Sequence, residues 1–186
     1  MLFYEESVLA QSEDAVLVIG CDIPDIEKNT IDTLVIPDLD DNTAQRVEEL
    51  VGRYRVSTAY IPDSDELFSI LEGYDIFVIK VKAHMSFGVG GASVSVTAGN
   101  SSPALITRIS MGQDRILLCG SMDKARLEEY KTMDSRPFGY INLTEAQKNF
   151  VTDILDTYTP HSLIFTGTQP YVDGYKIVEG SILLKE

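Results

Sequence analysis

The sequence predicts a mixed α/β domain in which helices cover β-sheet. Three observations carry this. Residues 15–19 (AVLVI) and 32–36 (DTLVI) are short runs rich in β-branched residues, the pattern of strands buried on both faces. Ala44, Val47, Leu50, Val51 and Tyr54 then recur at helical spacing. From residue 75 to 119 the chain is dominated by strand patterns with turn residues between them. Strands that run before and between helices form sheets that need helices to cover them.

The elements follow in order. Residues 7–11 alternate and predict a short strand; residues 15–19 and 32–36 predict two buried ones, the second stopped by Pro37. The next helix has Asn42 or Thr43 as N-cap, with Gln45 three residues after Asn42 as capping-box partner, and Gly52 near its end. Residues 57–61 form a strand closed by Pro62, and residues 66–71 a shorter helix. Strands are predicted at 75–81, 93–98, 105–110 and 115–119, with Met111-Gly112-Gln113-Asp114 as the turn between the last two. A helix at 123–130, a loop to Asn142 and a helix at 145–158 follow; Thr144 caps the latter and Gln147 completes a capping box. Residues 162–166 predict a strand, and residues 176–185 a last strand or hairpin. With no fixed repeat and no long linker, residues 1–186 are expected to form one domain.

Composition narrows the function. The 186 residues are 44% hydrophobic, enough for a real core. Acidic residues number 29 against 15 basic ones, a formal net charge of −14. Such a chain repels phosphate backbones, so no direct nucleic-acid binding is expected. Lys80 and Lys82 are the densest basic pair and suit one solvated strand face. Two cysteines, Cys21 and Cys119, cannot make a disulfide framework. No apolar run reaches the roughly 18 residues of a membrane helix, and the first ten residues lack a signal-peptide pattern. These elements are therefore expected to form a soluble body that does not insert into a membrane.

In IDTLVIPDLDDNTAQRVEELVGRYRVSTAYIP, residues 31–62, a strand ends in Asp38, Asp40, Asp41 and Asn42, and a helix opens. In SSPALITRISMGQDRILLCGSMDKARLEEY, residues 101–130, Arg108-Ile109, a turn at Gly112 and Ile116-Leu117-Leu118-Cys119-Gly120-Ser121 lead into an acidic helix. Together these segments resemble the metallo-β-lactamase-fold domain of ComEC-type DNA-uptake proteins. That family has a His-x-His-x-Asp-His motif between strand and helix, and later a hairpin ending in "(F/I)LLTGD". AVLVIGCD, residues 15–22, fits the family's early strand and its "DGG"-like turn. The resemblance runs from about residue 7 to 167 and rests on the order and spacing of elements. It implies an αββα sandwich, trimmed at its edges because 186 residues are few for that fold.

The resemblance also shows what has changed. Its first two histidines fall on Asp38 and Asp40, its metal-binding Asp on Asn42, its last His on Thr43, and its bridging Asp on Ser121. Its later His-His-Gly-Ser segment falls near residues 138–144 (FGYINLT), which contain no histidine. A hydrolytic zinc site needs three or four converging ligands and an open position for water, so no zinc is expected here. The resemblance thus implies a non-catalytic structural or interaction module, a soluble part of a bacterial competence membrane protein, with the rest of that protein or another protein as partner. The alternative is a phosphodiesterase or nuclease with a rewired oxygen-ligand site, holding Mg²⁺, Mn²⁺ or Ca²⁺ at Asp38, Asp40 and Asn42. A third reading is a small-molecule sensor that uses the vacated pocket.

The other candidates have plainer readings. Asp38, Asp40 and Asn42 start like a calcium loop and Glu49 fits its twelfth position, but Thr43 stands where the sharp turn needs glycine. These oxygens suit the positive end of a helix. Ser121 lacks a nucleophile-elbow context, and its hydroxyl stands in the place of a lost ligand. Gly88-Val89-Gly90-Gly91 reads as a turn into a strand rather than a phosphate loop. Cys21 and Cys119 read as core residues, and His84 as a loop histidine; His161 matches no ligand position.

Overall fold

Val16–Ile19 is buried along its whole length, as a run without polar residues should be. The structure is a computed structural model that describes residues 1–3, 7–22, 26, 28–99, 104–133, 137–144, 147, 149–165 and 176–178. The first sheet holds six strands in sequence order: β1 (Leu2–Phe3), β2 (Val8–Gln11), β3 (Val16–Ile19), β4 (Thr30–Val35), β5 (Arg55–Ile61) and β6 (Phe77–Lys80). β1 to β3 pair antiparallel, and β3 to β6 pair parallel. Parallel neighbours need crossovers. Helices α1 (Thr43–Arg53) and α2 (Asp65–Glu72) provide the last two.

The second sheet holds seven strands, also in sequence order: β7 (His84–Val89), β8 (Ala92–Ala98), β9 (Leu105–Met111), β10 (Asp114–Leu118), β11 (Tyr140–Leu143), β12 (Ser162–Phe165) and β13 (Lys176–Val178). β7 to β10 form an antiparallel meander; β10 to β13 are parallel. α3 (Lys124–Met133) and α4 (Val151–Tyr158) make crossovers here.

Three apolar clusters give four layers. Val16, Val18, Ile31 and Leu34 pack under Val47, Leu50 and Leu67 of α1 and α2. Leu17, Ile19, Val35 and Tyr60 face Val94, Val96, Ile109 and Ile116 between the sheets. Leu117, Ile141 and Leu163 pack under Leu127 of α3 and Ile154 and Tyr158 of α4. Alternate residues of β3 thus serve two different cores, which is why its sequence is apolar throughout.

Several expectations need correction. The loop reading of His84 fails: residues 84–89 are strand β7, paired with β8 along its length. Only Gly90 and Gly91 form the turn, both at positive φ (52° and 82°). The loop expected as far as Asn142 contains β11, four residues that are nearly all buried. Of the helix expected at 145–158, residues 145, 146 and 148 lie outside the described residues, and α4 starts only at Val151; Phe150 before it has non-helical backbone (φ −138°, ψ 26°). Asp75 takes φ +58°, so β6 starts two residues late. Lys80, expected with Lys82 on one solvated strand face, is only 19% exposed, is tied to Asp65 and lies 3.6 Å from Asp63, while Lys82 lies past the end of β6. Of the tail, residues 179–185 lie outside the described residues, and 176–178 form a parallel edge strand.

Candidate functional site

The sequence-predicted residues gather where β4 and β10 end. After β4, Pro37 accepts the N–H of Leu105 at 2.6 Å, which ties the exit of the first sheet to the start of β9 in the second. The next residue, Asp38, reaches the loop after β10. Its carboxylate accepts the backbone N–H of Ser121 at 3.1 Å (Oδ2) and 3.3 Å (Oδ1), and also the Ser121 hydroxyl. Two of the positions singled out by sequence, 38 and 121, are therefore in direct contact.

Glycine is required between them and the strand. Gly120 has φ +53°, and a Cβ there would stand 2.8 Å from Asp38 Oδ2. From the other side the Gly120 carbonyl accepts the Gln147 side-chain amide at 2.9 Å and lies 3.0 Å from the Thr144 hydroxyl. Gln147 is fully buried, and its amide also donates to the Met122 carbonyl at 2.9 Å. Its Oε1 accepts the Thr144 N–H at 2.8 Å, the expected capping-box bond, here used to hold a loop although α4 starts later. The loop 119–122 is clamped from both flanks.

Asp40, Asn42 and Thr43 make a separate knot. Asp40 Oδ1 accepts the Asn42 N–H at 2.8 Å and the Thr43 hydroxyl at 3.0 Å, while Thr43 Oγ1 accepts the Asp40 N–H at 2.8 Å. Asn42 occupies the N-cap position but makes no side-chain cap bond, and Gln45 donates to Glu49 at 2.8 Å. Asp40 Oδ1 thus pairs the N–H of the N-cap residue itself, and the helix opens without the side-chain cap expected from Asn42 or Thr43. The other Asp40 oxygen meets Arg46 Nη2 at 2.5 Å, and Arg46 Nη1 reaches Asp22 at 3.0 Å. Burial raises the Asp40 pKa, but the Asn42 N–H, the Thr43 hydroxyl and the Arg46 guanidinium outweigh it and hold the carboxyl below its usual range.

The sequence reading missed Arg46, Asp22, Gly120 and Thr144 as members of this region. Arg46 carried a signal: a cation in the first turn of a helix opposes the helix dipole unless carboxylates lie close by. A cleft of about 100 Å³ opens on the far side of Arg46, lined by Cys21, Asp22, Glu49, Leu50, Arg53 and Tyr54. Cys21 is half-buried there; Cys119 is buried, which pushes its thiol far up and leaves it inert, and neither is in a disulfide. His84 contacts Thr97 at 3.0 Å in β7, and the His161 N–H donates to the Gly139 carbonyl at 3.1 Å, so Ser121 has an acidic neighbour rather than a histidine base.

The residues present do not fit the zinc centre that such folds carry. The Thr43 hydroxyl is turned into Asp40, a guanidinium sits on Asp40, and hydrogen-bond donors from Ser121 engage both oxygens of Asp38. Among the described residues no three His, Cys, Asp or Glu side chains converge as a ligand set. The arrangement can fix loops.

No family model matches the sequence, and no curated protein matches it. Solved structures do resemble it. CmlA, a diiron β-hydroxylase from Streptomyces venezuelae, superposes with a TM-score of 0.61 at 12% identity, over 89% of this chain and 44% of that one. A diphosphatase from the PhnP family gives 0.57 at 15% identity, over 94% and 81%. The Rm3 metallo-β-lactamase gives 0.55 at 10% identity, over 81% and 75%. This chain spans under half the length of CmlA. At such identities the likeness is one of fold: the chain is a metallo-β-lactamase-like αββα sandwich.

Proposed function

We propose that this chain is a non-hydrolytic metallo-β-lactamase-like module that serves as a structural or interaction part of a larger bacterial DNA-uptake-type protein. The observation that carries the first half is the Asp38–Ser121 contact. Both oxygens of Asp38 engage a loop whose residue 121 supplies donors where the resembling family supplies a second carboxylate. A metal bridge between the sheets is thereby replaced by hydrogen bonds. The uptake setting rests on the resemblance of residues 31–62 and 101–130. The net charge of −14 supports a protein partner over nucleic acid. Among the described residues no helix is long and apolar enough to cross a membrane.

The test is metal content by mass spectrometry on chain purified without chelator, followed by melting curves with Zn²⁺, Mn²⁺, Mg²⁺ and Ca²⁺ in turn. The expected result is no stoichiometric metal and no stabilisation. About one tightly held ion per chain, lost in the Asp38→Ala, Asp40→Ala double variant, would overturn the proposal in favour of a hydrolase with oxygen ligands.

A further inference from the structure

We propose that two copies of this chain associate through β7, strand against strand, about a two-fold axis at Ser86. The interface is independent of the Asp38 region. The β7–β8 turn packs at the start of β3, since a Cβ on Gly90 would lie 2.7 Å from Ser12 Oγ and 2.9 Å from Ala15 Cβ. β3 and β4 are parallel, so Asp38, just past the end of β4, stands at the opposite end of the first sheet.

β7 is the outermost strand of the seven-stranded sheet. Its phase is set by the turn. A two-residue loop with both glycines at positive φ closes on the Val89–Ala92 pair as a type I′ turn. Val89, Phe87 and Met85 then exchange backbone bonds with β8, and Ala83 continues the series by accepting the Ala98 N–H at 3.4 Å. His84, Ser86 and Gly88 are left with N–H and C=O aimed outward, and all three are exposed. The intervening Met85, Phe87 and Val89 face the inter-sheet core, where Phe87 stacks on Tyr60 at 3.8 Å. Among the described residues no strand pairs with this edge, and its inward side chains are held in the core.

Sheet edges are normally guarded by charge, proline or a bulge. β7 has none of these. Residues 83–107 contain no Asp, Glu, Lys or Arg, the longest such stretch in a chain of net charge −14. Two copies repel over most of their surface, and this edge is where they meet without opposing charges. The outward residues are also self-complementary. Antiparallel pairing about Ser86 sets Ser86 against Ser86 of the second copy and His84 against Gly88, where the missing side chain leaves room for the imidazole. That register makes about six backbone hydrogen bonds and satisfies the closed two-fold symmetry of a dimer.

The experiment is sedimentation velocity on the full chain from a few to about 100 μM, at low and high salt, with amide exchange read in parallel. The expected result is a species of twice the 20.6 kDa chain mass, favoured by salt because salt screens the repulsion. Ser86→Lys, which sets two cations opposite each other, should give a monomer with an unchanged circular dichroism spectrum. In the wild type the amides of His84, Ser86 and Gly88 should gain protection as concentration rises. A wild-type monomer throughout the range overturns the proposal. So does a dimer that survives Ser86→Lys while those amides stay fast. A monomer whose edge amides are protected only by an added extended peptide would assign β7 to a foreign strand, and would overturn self-pairing too.

Discussion

The Asp38 carboxylate and the Ser121 N–H lie 3.1 Å apart although 83 residues separate them in sequence. The contact joins the exit of β4 in one sheet to the exit of β10 in the other. Replacing Asp38 with Ala removes these bonds, but Ser121 is exposed and water takes up its donors, so the loss is about 1 kcal/mol. For a domain of this size the melting temperature should fall by about 2–4 °C. Asp38→Asn keeps an acceptor and should cost less than half of that. Differential scanning calorimetry of both variants decides the matter, and equal losses would show that packing around residue 38 matters more than the acceptor.

Ser121→Asp returns the residue type that the resembling family holds at this position. In this chain it should be destabilising at pH 7, because two carboxylates would then face each other where one now meets a donor. The melting temperature of the variant should recover toward wild type as pH falls below about 5, once one carboxyl is protonated. A Ser121→Asp chain more stable than wild type at neutral pH without added metal would contradict the contact as described.

Gly120→Ala forces a side chain into a left-handed backbone and toward Asp38 Oδ2. The expected loss is about 1–3 kcal/mol. Part of it comes from the Asp38 clash, so the Gly120→Ala, Asp38→Ala double variant should lose less than the two single losses combined, by about 1 kcal/mol. Urea unfolding of the four chains in this cycle gives that difference directly. Strict additivity would mean that the strain lies in the backbone alone.

The Asp40 knot predicts a pH dependence. A carboxyl held low in the folded state stabilises the fold above its unfolded pKa of about 4. That contribution is lost as pH falls through the folded value. Asp40 is half exposed, with 51% of its side chain open to solvent, so the effect is modest. The stability gap between wild type and Asp40→Asn should shrink between pH 5 and 3, and Arg46→Met should shrink it already at pH 7. Denaturant midpoints measured across that range supply the check.

Much of this architecture was legible because burial writes itself into short patterns. Val16–Ile19 and Thr30–Val35 serve cores on two faces, so their apolar runs admitted one reading. β7 was obscured because Gly88, Ser86 and His84 are edge positions under no demand to be apolar, and four glycine-rich residues looked like loop. β11 was obscured for another reason: Tyr140 to Leu143 is only four residues long, and the polar Asn142 inside it is buried. At the site, Asp38 and Ser121 were both visible, and the resemblance aligned them with partners in one metal centre. Their mutual hydrogen bond was not visible, nor was the bond by which Asp40 takes the Asn42 N–H while Asn42 itself makes no cap. These depend on side-chain reach across loops, which no local pattern encodes.

Arg126 shows the same limit and gives the sharpest stability test. It reads as a surface residue of an acidic helix, yet it is wholly buried. Its Nη2 donates to the Thr97 carbonyl at 2.8 Å, its Nη1 lies 2.8 Å from Glu129, and Gly99 admits the guanidinium so closely that a Cβ there would stand 2.4 Å from Cζ. Arg126→Met removes a buried guanidinium with its bond to the Thr97 carbonyl and its ion pair with Glu129, which costs about 3–5 kcal/mol. Arg126→Met should therefore be among the most damaging single changes outside the aliphatic core. Glu129 is itself largely covered, so adding Glu129→Leu removes the carboxylate that has lost its cation and should recover part of the loss, although each change alone destabilises. Urea titrations of the single and double variants measure this. A double variant less stable than Arg126→Met would show that Glu129 supports α3 through contacts other than Arg126.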